Sequence, residues 1–92
     1  NVDESLYAEN LIQEVNGKCF DLDGFHHGEV RSNRCYNAKS PKSYPHGHFG
    51  IVLNNTNPDM RSEAIVIEDN EIEGMNFGGI FLIGRNHVVR RN

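Results

Sequence analysis

The chain has 92 residues, enough for one domain and too few for two, and a domain of this size buries only a small core. Its 9 Lys and Arg residues against 13 Asp and Glu residues give a formal net charge of −4, which argues against a nucleic-acid partner. No apolar run is long enough to cross a bilayer, and the N-terminus lacks the pattern of a signal peptide.

The first predicted element covers residues 4–13, and its sequence would also suit a short helix. We prefer strands and turns there because Asn10 opens an Asn-x-(Ile/Cys) unit that recurs at Asn33 and Asn70. Asn92 stands where a fourth unit would begin. Asparagine tolerates the left-handed conformation of a tight corner, so we expect these side chains to form a hydrogen-bonded ladder at one corner.

Three predicted strands share the pattern of an apolar residue, a variable residue and a leucine, followed by a turn. They are Phe20-Asp21-Leu22, Ile51-Val52-Leu53 and Ile80-Phe81-Leu82. Alternate residues of a strand face opposite sides, so the first and third residues of each triplet are predicted to stack as inward columns. Glycines at positions 24, 74 and 84 suit backbone turns.

Two segments without a strand pattern interrupt the repeat. Residues 37–48 are rich in Pro, Ser, Lys and His, and residues 54–63 open with turn-forming asparagines. Both are predicted to be loops inserted into the repeated structure. Cys19 and Cys35 form no metal-binding motif, and the sequence leaves one disulfide between them open.

The segments CFDLDGFHHGEVRSNRC, FGIVLNN, AIVIEDNEIEG and GGIFLIGRNHVVRRN resemble the repeats of the right-handed parallel β-helix, or pectate-lyase-like, superfamily. The resemblance covers residues 10–92 and implies an all-β fold of about four coils with two inserted loops. Residues 1–92 are then one segment of a longer β-helix, or a partner protein caps its open ends. An ordinary β-sandwich with coincidental Asn spacing is the alternative.

The resemblance implies a carbohydrate-directed domain, a lyase or hydrolase, that binds or cleaves a polysaccharide outside the cell or in the cell envelope. The same fold also occurs in non-catalytic proteins, so a structural or binding subunit of an extracellular or envelope assembly is the alternative function.

Asp21 and Asp23 flank Leu22 and are predicted to lie on one outward face, where they could bind calcium or divide acid and base roles. The simpler interpretation is that both carboxylates solubilise the strand and favour the turn at Gly24.

If the substrate is a uronate polymer, β-elimination requires a cation near its carboxylate and a base for the adjacent proton. Arg61, or a cation bound by Asp21 and Asp23, is the candidate for the first role. His26 and His48 are candidates for the second. Solvated loop positions are the alternative explanation of these histidines. Asn54 and Phe81 are candidate substrate-binding residues on the outward face, which Val52 and Ile83 share. These apolar residues are expected to be covered by the loops, by a sugar or by a partner.

Overall fold

The computed structural model describes residues 2–15, 17–37, 49–53, 57, 61–75 and 78–92. These residues form strands and no helix. The strands are β1 (Val2–Asp3), β2 (Leu6–Ala8), β3 (Leu11–Gln13), β4 (Lys18–Asp21), β5 (Phe25–His26), β6 (Glu29–Arg31), β7 (Arg34–Tyr36), β8 (Phe49–Leu53), β9 (Val66–Glu68), β10 (Glu71–Glu73), β11 (Gly78–Leu82) and β12 (Val88–Arg90). The described part of the chain holds no helix long and apolar enough to cross a membrane.

All strand pairs between these elements are parallel, and the chain visits the sheets repeatedly in the same order. We call each such round of the sheets a pass. The four-stranded sheet has the order β12-β9-β6-β2, the β8 sheet the order β11-β8-β4, and the β7 sheet the order β10-β7-β3. Strands β1 and β5 form a fourth sheet, which single bridges to Glu63 and Arg85 extend. The all-β prediction is confirmed, and residues 4–13 contain strands β2 and β3 rather than a helix.

The register of the sheets aligns apolar residues of neighbouring strands with one another. In the four-stranded sheet, Tyr7, Val30, Ile67 and Val89 are aligned. In the β8 sheet, Ile51 is aligned with both Phe20 and Ile80. Because a slip of one residue would turn each apolar column outward, this alternation fixes the register.

The core lies between the sheets and consists of the aligned apolar side chains. Its buried members are Phe20, Phe25, Val30, Ile51, Leu53, Ile65 and Ile67. Leu22, Ile80 and Leu82 are partly buried and pack against this cluster, and so does Tyr7. The inward columns predicted from the three strand triplets are therefore confirmed.

The repeated asparagines form a ladder through the interior. The backbone and side-chain amides of Asn10 donate to Asn33 Oδ1, at 3.0 and 2.9 Å. Asn33 donates in the same way to Asn70 Oδ1, at 3.0 Å from each amide. Asn70 donates to Asn92 Oδ1, at 3.1 and 2.9 Å. The predicted ladder is confirmed, and it satisfies polar groups that would otherwise be buried without partners.

The predicted left-handed conformation of these asparagines is wrong. The residue before each of them has the positive φ instead, with values of 58° at Glu9, 56° at Ser32, 56° at Asp69 and 52° at Arg91. The preceding residue makes the corner, and the asparagine side chain is thereby free to bond a core carbonyl, as Asn70 Nδ2 does to Val30 O at 2.9 Å. Gly24, Gly74 and Gly84 do have positive φ values, as predicted.

A disulfide between Cys19 and Cys35 links β4 to β7 within one pass of the chain. In the next pass, Gly50 and Ile72 take the corresponding positions, since Ile72 is aligned with Cys35. A Cβ on Gly50 would lie 2.6 Å from Ile72 Cγ2, so the isoleucine fills the space that a side chain at position 50 would need.

The two predicted loops lie mostly outside the described residues. At their edges, Asn37 is buried and its side chain bonds the backbone of Val15. Ser62 is also buried, and Glu63 bridges to its parallel neighbours. These three residues therefore belong to the paired structure.

Candidate functional site

A column of charged residues runs along one side of the molecule. Asp3, His26, Glu63 and Arg85 are aligned in neighbouring passes of the chain. The small sheet of β1 and β5 positions the first two residues, and single parallel bridges position the others. Neighbours in this column are about 4.8 Å apart, which allows their side chains to interact in pairs.

His26 has both ring nitrogens next to acceptors. Its Nδ1 lies 3.2 Å from Asp3 Oδ1, and its Nε2 lies 2.9 Å from the carbonyl oxygen of Arg61. A carbonyl oxygen can only accept, so Nε2 carries the proton in that contact. A ring with N–H groups at both nitrogens would donate to both acceptors, whereas a ring with an N–H at Nε2 alone would donate only to the Arg61 carbonyl.

Glu63 is the carboxylate at the centre of this surface. Its Oε1 accepts from Arg85 Nε at 2.9 Å and from Asn86 Nδ2 at 3.4 Å. The Glu63 side chain is 32% exposed and that of Arg85 is 76% exposed. Such an exposed pair adds little to stability. Because both side chains are partly or largely exposed, the two charges are accessible to a ligand.

Two adjoining pockets share Arg61 and Arg85. The first has a volume of about 270 Å³ and is also lined by His26, Ser62 and Glu63. The second has a volume of about 320 Å³ and is completed by Ile83 and Gly84. We call the two pockets together the arginine groove; it is polar at the histidine end and apolar at the isoleucine end.

The outer face of the β8 sheet lies beside the apolar end of the groove. Val52 is only 1% exposed there, so it is covered as expected, whereas Phe81 is 43% exposed, and its coverage by a sugar or a partner stays a prediction. The ring of Phe81 contacts that of Phe49 at a centroid distance of 5.7 Å. Ile83 follows Phe81 by two residues, so the two side chains are expected on the same face. The exposed apolar surface at Phe81 therefore extends toward the groove.

The structure brings together only some of the predicted site residues. His26 and Arg61 line one pocket. Asp21 and Asp23 are exposed and line neither pocket of the groove. His48 and Asn54 lie outside the described residues.

The aspartates considered for calcium binding have other neighbours. Asp21 Oδ2 lies 3.6 Å from Lys18 Nζ, which offsets the charge that a cation would need. Within the described ranges, no group of three His, Cys, Asp or Glu side chains is arranged to hold a metal ion. Calcium at Asp21 and Asp23 stays a prediction.

A second charged cluster lies at the ends of strands β9 and β12 of the four-stranded sheet. Glu68 Oε2 accepts from Arg90 Nε at 2.5 Å and from the guanidinium of Arg91 at 3.1 Å. Arg91 also donates to Asp69 at 2.8 Å. That hydrogen bond, together with the charges of nearby arginines, holds the pKa of Asp69 below its ordinary value, and the same contact raises the pKa of Arg91.

Sequence reasoning overlooked Glu63 and Arg85 as site residues. The signal was present in the spacing, because Asp3, His26, Glu63 and Arg85 follow one another at the same intervals as the four ladder asparagines. The intervals between the ladder asparagines therefore also predict which residues of neighbouring passes are aligned with one another.

No family model, curated protein or solved structure matches this chain.

Proposed function

We propose that the chain forms a right-handed parallel β-helix that binds a polysaccharide in the arginine groove. The single observation that carries the proposal is the pair of adjoining pockets that share Arg61 and Arg85. Two linked pockets suit a ligand of repeated units better than one small molecule, because neighbouring units can occupy neighbouring depressions.

The fold part of the proposal is supported by the order of the strands. Every pair is parallel, and each sheet receives one strand from successive passes of the chain. Connections between parallel strands of one sheet are right-handed in nearly all proteins, which gives the proposed hand.

The groove offers the chemistry that sugars require. Guanidinium and carboxylate groups present paired donors or acceptors in one plane, and neighbouring hydroxyls of a sugar match such pairs. Glu63 accepts, whereas Arg85 donates and His26 donates through Nε2. The exposed ring of Phe81 can pack against the apolar face of a sugar at the other end.

An acidic sugar suits the groove better than a neutral one. The lining of the two pockets includes two guanidinium groups, Arg61 and Arg85, and one carboxylate, Glu63. A uronate would therefore meet an excess of positive charge. We propose binding rather than cleavage, because both nitrogens of His26 already have partners and a base for proton abstraction needs a free one.

The proposed location is extracellular or in the cell envelope. The disulfide between Cys19 and Cys35 supports this location, because such bonds persist in oxidising compartments.

Calorimetric titration with oligogalacturonate and a neutral glucan oligomer tests the proposal. We expect the uronate to bind more tightly, and Arg85→Ala to weaken its binding about tenfold, equivalent to ~1.4 kcal/mol. Arg34→Ala is the matched control: Arg34 forms a similar exposed pair with Glu71, at 3.5 Å, on the β7 sheet.

Equal losses in the two variants, or no binding of either sugar, would contradict the groove as the site. Adding calcium to the same titration tests Asp21 and Asp23, and an assay for unsaturated uronate product tests cleavage separately.

A further inference from the structure

Glu63 has a basic residue on each side of it in the charged column. Its backbone bridges to His26 in the preceding pass and to Arg85 in the following one. Arg61 stands two residues before it and lines the same pocket. Among the described residues that line the arginine groove, Glu63 is the only carboxylate. The negative charge that these residues contribute to the groove is therefore that of Glu63.

The contact between Glu63 and Arg85 uses one oxygen of the carboxylate. Glu63 Oε1 accepts from Arg85 Nε at 2.9 Å and from Asn86 Nδ2 at 3.4 Å. A guanidinium and a carboxylate bind most strongly through two parallel N–H···O bonds. Because a single oxygen serves both donors here, the pair does not reach that bidentate geometry.

The same chain contains a bidentate pair for comparison. Arg91 Nε donates to Asp69 Oδ1 at 2.8 Å, and Arg91 Nη2 donates to Asp69 Oδ2 at 3.2 Å. The acid and the arginine are 22 residues apart in the chain in both pairs, so both pairs connect the same two passes. The Glu63–Arg85 pair is therefore the one in which an external carboxylate can offer Arg85 a better partner.

The side chain of Glu63 can leave Arg85 without disturbing the fold. It is 32% exposed, whereas that of Glu68, which also pairs with arginine, is 12% exposed. The backbone of Glu63 is held independently, since its N–H donates to Phe25 O at 3.1 Å and its carbonyl accepts from His27 N at 3.0 Å. Breaking an exposed ion pair costs little free energy, so the carboxylate can turn into solvent while its backbone stays paired.

A uronate can supply the bond that Glu63 lacks. Its carboxylate is not attached to the sheet, so both of its oxygens can align with two N–H groups of Arg85. If Glu63 kept its position, two negative charges would share one site and repel each other. Binding of the uronate at Arg85 therefore requires Glu63 to give up its contact.

We propose that Glu63 determines the specificity of the arginine groove: its carboxylate occupies Arg85 in the free protein, and the carboxylate of an acidic saccharide displaces it. This inference rests on the proposed saccharide binding. An uncharged sugar requires no such exchange, because its hydroxyls can donate to Glu63 in place. Glu63 thus lowers the affinity for an acidic sugar more than for an uncharged one.

Calorimetric titration of the parent protein and of Glu63→Gln tests this role. The two probes are oligogalacturonate and its methyl ester, which has the same sugar units without their charge. Glutamine keeps an oxygen that can accept from Arg85 but carries no charge. We expect the affinity for the free acid, relative to the ester, to rise about tenfold in Glu63→Gln, equivalent to ~1.4 kcal/mol.

Glu71→Gln is the matched control because it removes the same charge from a similar pair. Glu71 lies 3.5 Å from Arg34 on the β7 sheet and lines neither pocket of the groove. We expect the ratio of the two affinities to stay at the parent value in this variant. An equal rise in both variants would assign the gain to net charge and overturn the role of Glu63.

Two further outcomes separate this inference from the proposed function. An unchanged or lower affinity of Glu63→Gln for the free acid would overturn the displacement of Glu63 and leave the groove as a saccharide site. No binding of either probe to the parent or the variant would contradict both proposals.

The contact itself can be followed without sugar through the NMR signal of the Arg85 Nε–H group. We expect this signal to move in Glu63→Gln and to stay in place in Glu71→Gln. An Arg85 signal that is the same in the parent and in Glu63→Gln would show that the pair is absent in solution, which would also overturn the inference.

Discussion

At the scale of single residues, small differences in available space decide which glycines of the sheets could be replaced by a larger residue. Gly50 and Gly79 are neighbouring glycines on β8 and β11, and both lie near Ile72. An added Cβ would be 2.6 Å from Ile72 Cγ2 at position 50 but 3.9 Å from it at position 79. At position 50 it would also lie 2.7 Å from the backbone oxygen of Gly79. Only the first glycine is therefore required by packing.

Gly50→Ala is expected to reduce the free energy of unfolding by about 1–3 kcal/mol, because backbone and the partly buried Ile72 must move to accept the methyl group. Gly79→Ala is expected to be neutral or to stabilise by up to about 1 kcal/mol through the unfolded state. Urea unfolding of both variants measures the difference. Equal effects of the two substitutions would show that Ile72 does not limit the space at position 50.

The contact between Asp69 and Arg91 predicts a specific pH dependence. A folded-state pKa below the ordinary value stabilises the protein above the unfolded-state pKa, and this contribution is lost as pH falls through the folded-state pKa. NMR titration of the Asp69 carboxyl should give a midpoint that rises in Arg91→Ala and is unchanged in Arg85→Ala. An Asp69 midpoint that does not respond to Arg91→Ala would show that the hydrogen bond is absent in solution.

At the scale of elements, the asparagine ladder fixes how the passes of the chain stack. Asn33 and Asn70 are each only 3% exposed. Each side chain bonds the next asparagine of the ladder and a carbonyl of the four-stranded sheet in a neighbouring pass. Asn70 accepts two bonds from Asn33 and donates to Val30 O. Removing its side chain would leave several buried groups without partners.

Asn70→Ala is therefore expected to reduce stability by about 3 kcal/mol, since each buried group left without a partner costs ~1–3 kcal/mol. Asn10→Ala removes the exposed end of the same ladder and should cost about 1 kcal/mol or less. Thermal and urea unfolding of both variants provide the comparison. A loss as large in Asn10→Ala as in Asn70→Ala would contradict a ladder whose strength depends on burial.

The elements could be predicted from the sequence where a repeated residue type marked them. The apolar triplets located the core columns, and Asn10, Asn33 and Asn70 located the corner. The left-handed corner conformation could not be predicted from residue type. It is adopted by the residues that precede the ladder asparagines, such as Glu9 and Asp69, and these residue types share no preference for it.

At the scale of the whole molecule, a single disulfide constrains a chain with a small core. The Cys19–Cys35 bridge spans a sequence separation of 16 residues and joins two sheets across the interior. Closing a loop of about 15 residues lowers the conformational entropy of the unfolded chain, which stabilises the folded state by ~3 kcal/mol.

The double substitution of Cys19 and Cys35 by Ala is thus expected to reduce the free energy of unfolding by about 3 kcal/mol. Denaturant unfolding, with the oxidised parent protein as reference, measures this loss. A double variant as stable as the oxidised parent would mean that the bridge does not constrain the unfolded state.

The groove could be predicted only in part. His26 and Arg61 were identified by residue type, but their meeting in one pocket depends on the pairing of β5 with Glu63, which pattern reasoning did not use. Asp21 and Asp23 were chosen because they are close in sequence, whereas the groove is assembled from residues 22 to 37 positions apart.

Titration of the ¹⁵N-labelled protein with oligogalacturonate, followed by amide chemical shifts, tests the proposed site most directly. We predict that the amides of Ser62, Glu63, Gly84 and Arg85 shift together and saturate, while those of β3 and β7 remain in place. Shifts confined to other surfaces, or none at saturating sugar, would contradict the arginine groove as a saccharide site.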